Sequence, residues 1–410
     1  MDVTIEQSCP SCGASIVLSE DDRLIACAFC GVHNYRIAGA GSRYMLPAED
    51  EGKQLIYVPY LRFKGSIFYV RDKEVQHKIV DTTRLGLEST LFPASLGLRP
   101  QAMRIRPVVS ATPGRFFLQS IPSNTVFAQA AMVIDLFQER GDRHTYHQAF
   151  IGETLSRIYQ PCYMQDEQLH DAVTRRMVGH GARLDTALKT CSSKVAWEPR
   201  FITTLCPGCG GLLDGERDSM VLQCTNCQSL WQEQQQKFVP VPWQVMASED
   251  RRARYLPFWR ISFSAPGSGL QSFGDYLRFT NQPLAALEKY DRQPLAFWIP
   301  AFKINPKAFL QLAGQLTVAQ GRIPEGQNRP VSNGYPVTLE QAEAVQALVT
   351  VLAYTTLSKE KRFPLLPKLS LENCRAALTY LPFVGQTHDL VQEHTRAALQ
   401  TAALRYGRVL

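Results

Sequence analysis

Apolar residues recur at helical spacing in two segments of the chain, one in each half. Such a stripe predicts an amphipathic helix whose apolar face packs against a core. The stripes are Phe127, Ala130, Ile134 and Phe137 in the first half, and Val345, Leu348 and Leu352 in the second. Gly141 follows the first stripe, where a helix would end. Thr338 and Gln341 have the spacing of a capping box ahead of the second, so we expect that helix to begin at Thr338.

Residues 254–263 fit a different period, because every second residue from Tyr255 to Phe263 is apolar and arginines are interleaved with the aromatic rings. Alternation with a period of two predicts a strand with one face turned to the core. The residues that share this face are Tyr255, Pro257, Trp259, Ile261 and Phe263. Short segments of aromatic and β-branched residues are frequent elsewhere, between the predicted helices. The sequence therefore predicts an α+β protein.

Composition agrees with an ordinary folded chain. Of the 410 residues, 45% are hydrophobic and 20% are charged, and the net charge of +7 permits nucleic-acid binding without requiring it. The most apolar stretch, residues 342–357, includes Glu343 and is shorter than the ~20 residues of a membrane span. The first residues lack the basic start and apolar run of a secretory signal. We expect a cytoplasmic protein with no membrane span.

The cysteines give the strongest chemical signal, because eight of the eleven follow one rule that is used twice. Each set has two Cys-x-x-Cys pairs separated by fourteen residues, and two such pairs supply the four sulfurs of a tetrahedral zinc site. Glycine follows three of the four pairs, whereas Gln228 follows the last, where we expect a looser turn. The predicted ligands are Cys9, Cys12, Cys27 and Cys30 in the first set, and Cys206, Cys209, Cys224 and Cys227 in the second.

Other interpretations of these cysteines are a disulfide framework, free buried thiols, or iron in a tetrathiolate site. Between its Cys pairs, each set has two short apolar segments around a polar turn, which predicts strand, turn and strand. Here residues 9–31 and 206–228 resemble zinc-ribbon proteins. Four protein sulfurs leave no open position on a metal, so we expect two structural Zn²⁺ ions.

Other motifs recur in the same order after each cysteine set. The segment from Tyr57 to Phe63 resembles that from Tyr255 to Ile261, and Tyr159-Gln-Pro161 resembles Tyr380-Leu-Pro382. We interpret the chain as two homologous halves formed by internal duplication, each with an N-terminal zinc ribbon followed by a small mixed α/β domain. The predicted domains are residues 1–45 (zinc ribbon 1), 46–190 (α+β domain 1), 201–240 (zinc ribbon 2) and 241–410 (α+β domain 2).

Arginines lie beside aromatic residues in the motif that recurs, a pattern found where proteins stack single-stranded bases. The same pattern also fits a core strand with paired charges. At matching positions, Arg62 and Arg260 are then expected to form salt bridges, with Glu49 and Glu249 as candidate partners. The candidate partner-binding residues are Arg62, Arg251, Arg252, Arg254, Trp259 and Arg260.

No catalytic motif is present: the chain lacks His-Glu-x-x-His, Gly-x-Ser-x-Gly and a phosphate loop. We therefore expect a non-catalytic zinc-binding scaffold or adaptor that assembles a protein complex with its duplicated halves. The alternative is a protein that binds single-stranded RNA or DNA through the basic and aromatic strands. A third hypothesis is an enzyme whose site lies between the halves, since catalytic residues scattered along a sequence escape motif searches.

Overall fold

The computed structural model describes residues 4–37, 42–48, 53–135, 144–180, 182–189, 191–192, 199–283, 288–328, 331, 333–386 and 388–407. The chain forms two compact units. Unit 1 consists of Met1–Lys64, Val80–Arg140 and Glu153–Thr204, and unit 2 of Gly65–Ile79, Gly141–Gly152 and Leu205–Leu410. The units are thus discontinuous in sequence, whereas the four predicted domains are contiguous, and the domain boundaries stay a prediction.

The first half of the sequence is mainly strand. Its strands are β1 (Thr4–Ser8), β2 (Ser15–Ser19), β3 (Leu24–Ala26), β4 (His33–Ile37), β5 (Ser42–Met45), β6 (Leu55–Arg71), β7 (Glu74–Leu85), β8 (Arg104–Pro107), β9 (Arg115–Phe116), β10 (Thr145–Gln165), β11 (Gln168–Asp171), β12 (Met177–His180) and β13 (Arg200–Thr203). Its helices are α1 (Arg99–Ala102), α2 (Thr125–Asp135) and α3 (Ala182–Leu188). One sheet has the order β12-β11-β10-β5-β8-β1-β2, with β6 pairing β10, β7 and β9, and a smaller sheet has the order β13-β4-β3.

The first cysteine set lies in two turns between strands of these sheets: Cys9 and Cys12 between β1 and β2, and Cys27 and Cys30 between β3 and β4. Strands β2 and β3 flank the polar turn as predicted, but they do not pair with each other: β2 pairs with β1, and β3 pairs with β4. The turn is held instead by Arg36, which is 4% exposed. Its guanidinium donates to the carbonyl oxygens of Glu20 and Asp22 and to the Tyr44 hydroxyl.

A second buried arginine, Arg62, joins this turn to strands β6 and β7. The side chain of Arg62, on β6, is 1% exposed and donates two hydrogen bonds of 2.8 Å to the Asp81 carboxylate. It also forms an ion pair with Glu20, which is 5% exposed. Burial alone lowers the pKa of Arg62, but Glu20 and Asp81 outweigh it and hold that pKa above its usual value. The predicted salt bridge therefore exists with other partners, and Glu49 lies outside the described residues.

The second half has more helix. Its strands are β14 (Leu213–Asp214), β15 (Val221–Cys224), β16 (Leu230–Gln234), β17 (Lys237–Pro240), β18 (Trp243–Val245), β19 (Arg254–Ser264), β20 (Phe297–Pro300), β21 (Glu372–Gln386), β22 (Asp389–Gln392) and β23 (Ala398–Gln400). Its α-helices are α4 (Phe273–Thr280), α5 (Glu288–Asp291), α6 (Pro306–Val318), α7 (Gln341–Thr355), α8 (Lys359–Arg362) and α9 (Thr401–Gly407), with 3₁₀ turns at Gln320–Arg322 and Phe363–Lys368. Unit 2 contains the four-stranded sheet β14-β15-β16-β17 and the larger sheet β20-β19-β21-β22-β23, with β18 beside β21.

Both helical stripes lie on helices, α2 and α7, and the mixture of sheets and helices confirms the α+β class. The predicted capping box is wrong. Helix α7 begins at Gln341, and the Thr338 hydroxyl instead accepts a hydrogen bond from the Lys303 N–H. Phe137 and Gly141, at the predicted end of the first helix, lie outside the described residues. In the described part of the chain, no helix is both long and apolar enough to span a membrane.

The strand predicted over residues 254–263 is β19, and it is buried on both faces at its centre. Leu256, Phe258, Trp259 and Ile261 are each at most 1% exposed. The Trp259 indole N–H donates to the carbonyl of Leu339 at 3.0 Å, so its single polar group is satisfied inside the core. The core interpretation of this strand is therefore confirmed.

A common arrangement of elements occurs in both units. Strand β5 runs parallel to β10, which continues into β11, β12 and α3, while β18 runs parallel to β21, which continues into β22, β23 and α9. The turns after β11 and β22 share a side-chain bond as well. The Thr174 hydroxyl donates to Asp171 at 2.9 Å, and the Thr395 hydroxyl donates to Gln392 at 2.8 Å.

Replacing Arg62 with methionine should destabilise unit 1, because it leaves the buried Glu20 carboxylate without its ion pair. Breaking a buried pair from one side costs about 3–5 kcal/mol of unfolding free energy. Urea unfolding followed by circular dichroism measures the loss. The control is Arg260→Met, which removes the exposed arginine of the matching sequence motif and should change stability by less than about 0.5 kcal/mol. Equal stability of the two variants would contradict the structural role of Arg62.

Candidate metal centres

All four Cys-x-x-Cys pairs form the same tight turn. In each, the N–H of the residue after the second cysteine donates to the carbonyl of the first, and that residue has a positive φ. The bonds are Gly13 to Cys9, Gly31 to Cys27 and Gly210 to Cys206, each at 2.9 Å, and Gln228 to Cys224 at 3.1 Å. The turns therefore aim both sulfurs of each pair in one direction.

The turn at Gln228 is as closed as the others, so the prediction of a looser turn is wrong. Gln228 has φ 62°, a conformation that costs a residue with a side chain about 1–2 kcal/mol. Two hydrogen bonds hold its side chain in place. Its amide oxygen accepts from the Gln223 side chain at 2.7 Å, and its amide nitrogen donates to the carbonyl of Thr225 at 3.1 Å.

The four sulfurs of each set lie within 4.8 Å of one another. The shortest separations are 3.7 Å (Cys12–Cys27) and 3.9 Å (Cys9–Cys30) in the first set, and 3.4 Å (Cys209–Cys224) and 3.7 Å (Cys206–Cys227) in the second. A tetrahedron with ~2.3 Å metal–sulfur bonds has sulfur–sulfur edges of about 3.8 Å. Disulfide sulfurs would be ~2.05 Å apart. Both sets therefore have the geometry to hold a metal ion.

In each set, hydrogen bonds favour the thiolate form of one sulfur, whereas burial and the neighbouring sulfurs raise the pKa of another, to about 12 for Cys12 and about 11 for Cys224. In the first set, the N–H groups of Cys30 and Phe29 lower the pKa of Cys27 to about 6. In the second, the Ser229 hydroxyl, 2.9 Å from the Cys227 sulfur, is the largest cause that lowers the pKa of Cys227 to about 6. Ser229 accepts a hydrogen bond from the Trp231 indole at 2.7 Å, which orients its proton toward the sulfur.

The candidate partner-binding residues are not all on the surface. Arg62 and Trp259 are each 1% exposed, so neither is placed to contact a partner, because both are held in the core by the bonds described above. Arg251, Arg252 and Arg260 are exposed, and Arg254 is half-buried with its guanidinium 5.0 Å from the centre of the Tyr335 ring. Arg260 lies 5.9 Å from the Trp298 ring, and no ion pair with Glu249 occurs among the described contacts.

These arginines do not converge on one point. Arg254 and Arg260 are six residues apart on β19, a distance of about 20 Å along a strand. Arg252 lies 3.5 Å from the Asp250 carboxylate, which partly neutralises it. The exposed positive charge is therefore spread over β19 and the residues just before it.

Unit 1 also has an apolar groove of about 730 Å³, which motif analysis did not predict. Phe92 and Phe117 are buried in its lining, with ring centres 5.3 Å apart, and Leu118 is 60% exposed. The amide oxygen of Gln119 is buried in this lining without a hydrogen-bond partner. The sequence gives little indication of this groove, because Phe92, Phe117, Leu118 and Gln119 lie in connecting segments without a helical or strand period.

Comparisons with known proteins gave no match: no family model fits this chain, and no curated protein or solved structure is similar to it.

Each cysteine set is expected to bind one metal ion independently. The purified protein should contain two equivalents, and Cys209→Ser should reduce this to one because a tetrahedral site loses a ligand. Elemental analysis by mass spectrometry gives the count. Cys374→Ser is the matched control, since Cys374 lies outside both sets and should leave two equivalents bound. One equivalent in the unchanged protein would contradict the prediction.

Acid should release the metal as protons compete for the thiolates, and Ser229→Ala should make this release begin at higher pH in the second site. The reason is that the Ser229 hydroxyl lowers the pKa of Cys227, so removing it lets the sulfur accept a proton more readily. A colorimetric metal-release assay across pH 4–7 measures the shift. The first site is the internal control, because Val32 has the place of Ser229 there. Unchanged release from the second site would contradict a role for the hydroxyl.

Proposed function

We propose that the chain is a non-catalytic, cytoplasmic zinc-binding scaffold that assembles a protein complex. The observation that carries this proposal is the apolar groove of unit 1, bordered by the exposed Leu118. A concave, mainly apolar groove of this volume is typical of places where proteins bind ligands or partner segments. The two metal centres serve stability, and the groove serves binding.

Zinc is the metal that best fits the two centres. Four thiolates in a tetrahedron satisfy zinc, which has no preferred geometry of its own, and they leave no position for water or substrate. A closed site of this kind contributes folding energy and no catalysis. None of the eleven cysteines, all of which the structure describes, forms a disulfide, which agrees with a reducing compartment such as the cytoplasm.

The groove suits an apolar segment of a partner protein. Its volume falls within the range of roughly 300–1,000 Å³ that binding pockets have, and its floor offers two aromatic rings. Among its lining residues Glu88 is the one charged side chain, and it is exposed. We therefore propose a partner segment with an aromatic or aliphatic anchor followed by a basic residue that faces Glu88.

We also infer that the two halves arose by duplication. The four matching cysteine turns support this inference, and so does the shared order of a short parallel strand, a long strand, a hairpin and a helix. The Leu46 N–H donates to Tyr159 and the Met246 N–H donates to Tyr380, both at 3.0 Å, which aligns the Tyr motifs of the two halves. Two related halves would give a scaffold two separate binding elements.

Nucleic-acid binding is the second candidate, and the exposed Arg251, Arg252 and Arg260 favour it. The burial of Trp259 removes the aromatic platform that base stacking requires. The arginines are also spread over β19 and the residues before it, so they do not concentrate positive charge at one place for a phosphate backbone. We therefore rank the scaffold above the nucleic-acid binder.

A nuclease-treated pull-down from cell extract tests the scaffold. Specific proteins should co-purify with the wild-type chain, and Leu118→Asp should reduce their recovery at least tenfold by placing a charge in the groove. Leu98→Asp is the matched control, because Leu98 is 76% exposed but does not line the groove. Equal recovery with both variants would refute the groove as the docking site.

Fluorescence anisotropy with single-stranded RNA and DNA tests the alternative. A nucleic-acid binder would show affinity that falls steeply with salt, because bound counterions are released. Reversal of Arg251, Arg252 and Arg254 to glutamate would abolish such binding. We expect no binding even at low salt, and salt-sensitive binding lost in the reversed variant would favour the alternative over the scaffold.

A further inference from the structure

Two arginines face each other across neighbouring strands of unit 1. Strand β5 runs parallel to β10, and their register places Arg43 directly opposite Arg157. The backbone there is well fixed, because the Arg43 carbonyl also accepts the Val108 N–H at 2.9 Å on the other side of β5. Side chains directly opposite in paired strands lie on the same face of the sheet. The two guanidinium groups therefore share one local environment.

Neither arginine has a partner of opposite charge among the described residues. Both side chains are half-buried, and the Nε atom of each is buried without a hydrogen-bond acceptor. Burial and the charge of Arg157 together lower the pKa of Arg43. Like charges at such a position destabilise a sheet. This contrasts with Arg36 and Arg62 of the same unit, whose guanidinium groups have close oxygen acceptors.

The fold itself does not require arginine at these positions. In unit 2, β18 and β21 repeat the parallel pairing, and the equivalent positions are Trp243 and Leu378, directly opposite each other. The alignment of the two units follows from Tyr159 and Tyr380, each two residues further along its strand. Tyr159 lies opposite Met45, and Tyr380 lies opposite Val245. An apolar pair thus satisfies the same architecture. The arginine pair needs another explanation.

We propose that Arg43 and Arg157 form a binding site for a small phosphate-bearing ligand. A phosphate monoester carries a charge of about −1.5 to −2 near neutral pH, enough to balance two guanidinium groups. Each planar guanidinium can donate two parallel hydrogen bonds to phosphate oxygens. A single carboxylate would leave one positive charge uncompensated. This site is independent of the proposed scaffold role, which would stand if the site failed its test.

Isothermal titration calorimetry on the full chain tests the site, with inorganic phosphate and pyrophosphate as probes in low-salt buffer. We expect one phosphate site per chain. Arg157→Leu, which installs the residue found in unit 2, and Arg43→Leu should each weaken binding at least tenfold. Arg157→Lys should bind with intermediate affinity, because lysine keeps the charge but loses the planar fork. The control is Arg104→Leu, which removes an exposed arginine from the nearby strand β8.

Thermal unfolding of the same proteins in phosphate-free buffer separates binding from folding. The leucine variants should unfold at the same temperature as the wild type or higher, because a repulsion has been removed. A fall of several degrees would show that the arginines are structural and would overturn the proposal. The proposal would also be overturned if the wild-type protein did not bind phosphate, or if Arg157→Leu bound it with unchanged affinity. Equal binding of acetate would overturn it as well. Binding of an oligonucleotide without binding of phosphate or pyrophosphate would also overturn it.

Discussion

The ion pairs of Arg62 connect the first metal centre to the rest of unit 1. The turn between β2 and β3 carries Glu20, and its strands belong to different sheets, so no hairpin pairing holds it. Arg62 brings that turn against β6 and β7 through Glu20 and Asp81. The buried Glu20 carboxylate and the buried Arg62 guanidinium are stable only together, because each alone would carry the cost of burial, and the partly exposed Asp81 adds a second acceptor. This network fixes the position of the turn between β2 and β3, and Arg36 fixes the conformation of the turn itself.

The two cysteine sets reach similar sulfur geometry through different supporting contacts. In the second, β14 and β15 pair directly, and their sheet continues through β16 and β17. In the first, buried arginines replace that pairing. Four sulfurs at tetrahedral separations thus depend mainly on the local turns, whose hydrogen bonds are the same in all four pairs. The surroundings of the two cysteine sets therefore differ while the arrangement of their sulfurs stays similar.

Local patterns predicted the features that depend on neighbouring residues. The cysteine turns, the helices α2 and α7 and the core strand β19 all follow from spacing within about fifteen residues. The partners of Arg62 could not be predicted from local spacing, because Glu20 and Asp81 lie 42 and 19 residues away in the sequence and only the fold brings them close. The pairing of Arg43 with Arg157 spans more than a hundred residues and depends on strand register. Local spacing also suggested Trp259 as a contact residue, since it does not tell a strand buried on both faces from one with an exposed face.

The discontinuity of unit 2 has a consequence for the order of folding during synthesis. Residues 65–79 and 141–152 leave the ribosome early, but their apolar side chains pack on residues made much later, as Phe68 does on Phe309 with ring centres 6.0 Å apart. At translation rates of about 5–20 residues per second, those side chains wait on the order of ten seconds or more for their partners. During that time the ends of β6, β7 and β10 are exposed edges of a growing sheet. Unit 2 can close only after residues 205–410 have emerged, so a nascent chain halted before them would present this surface to chaperones.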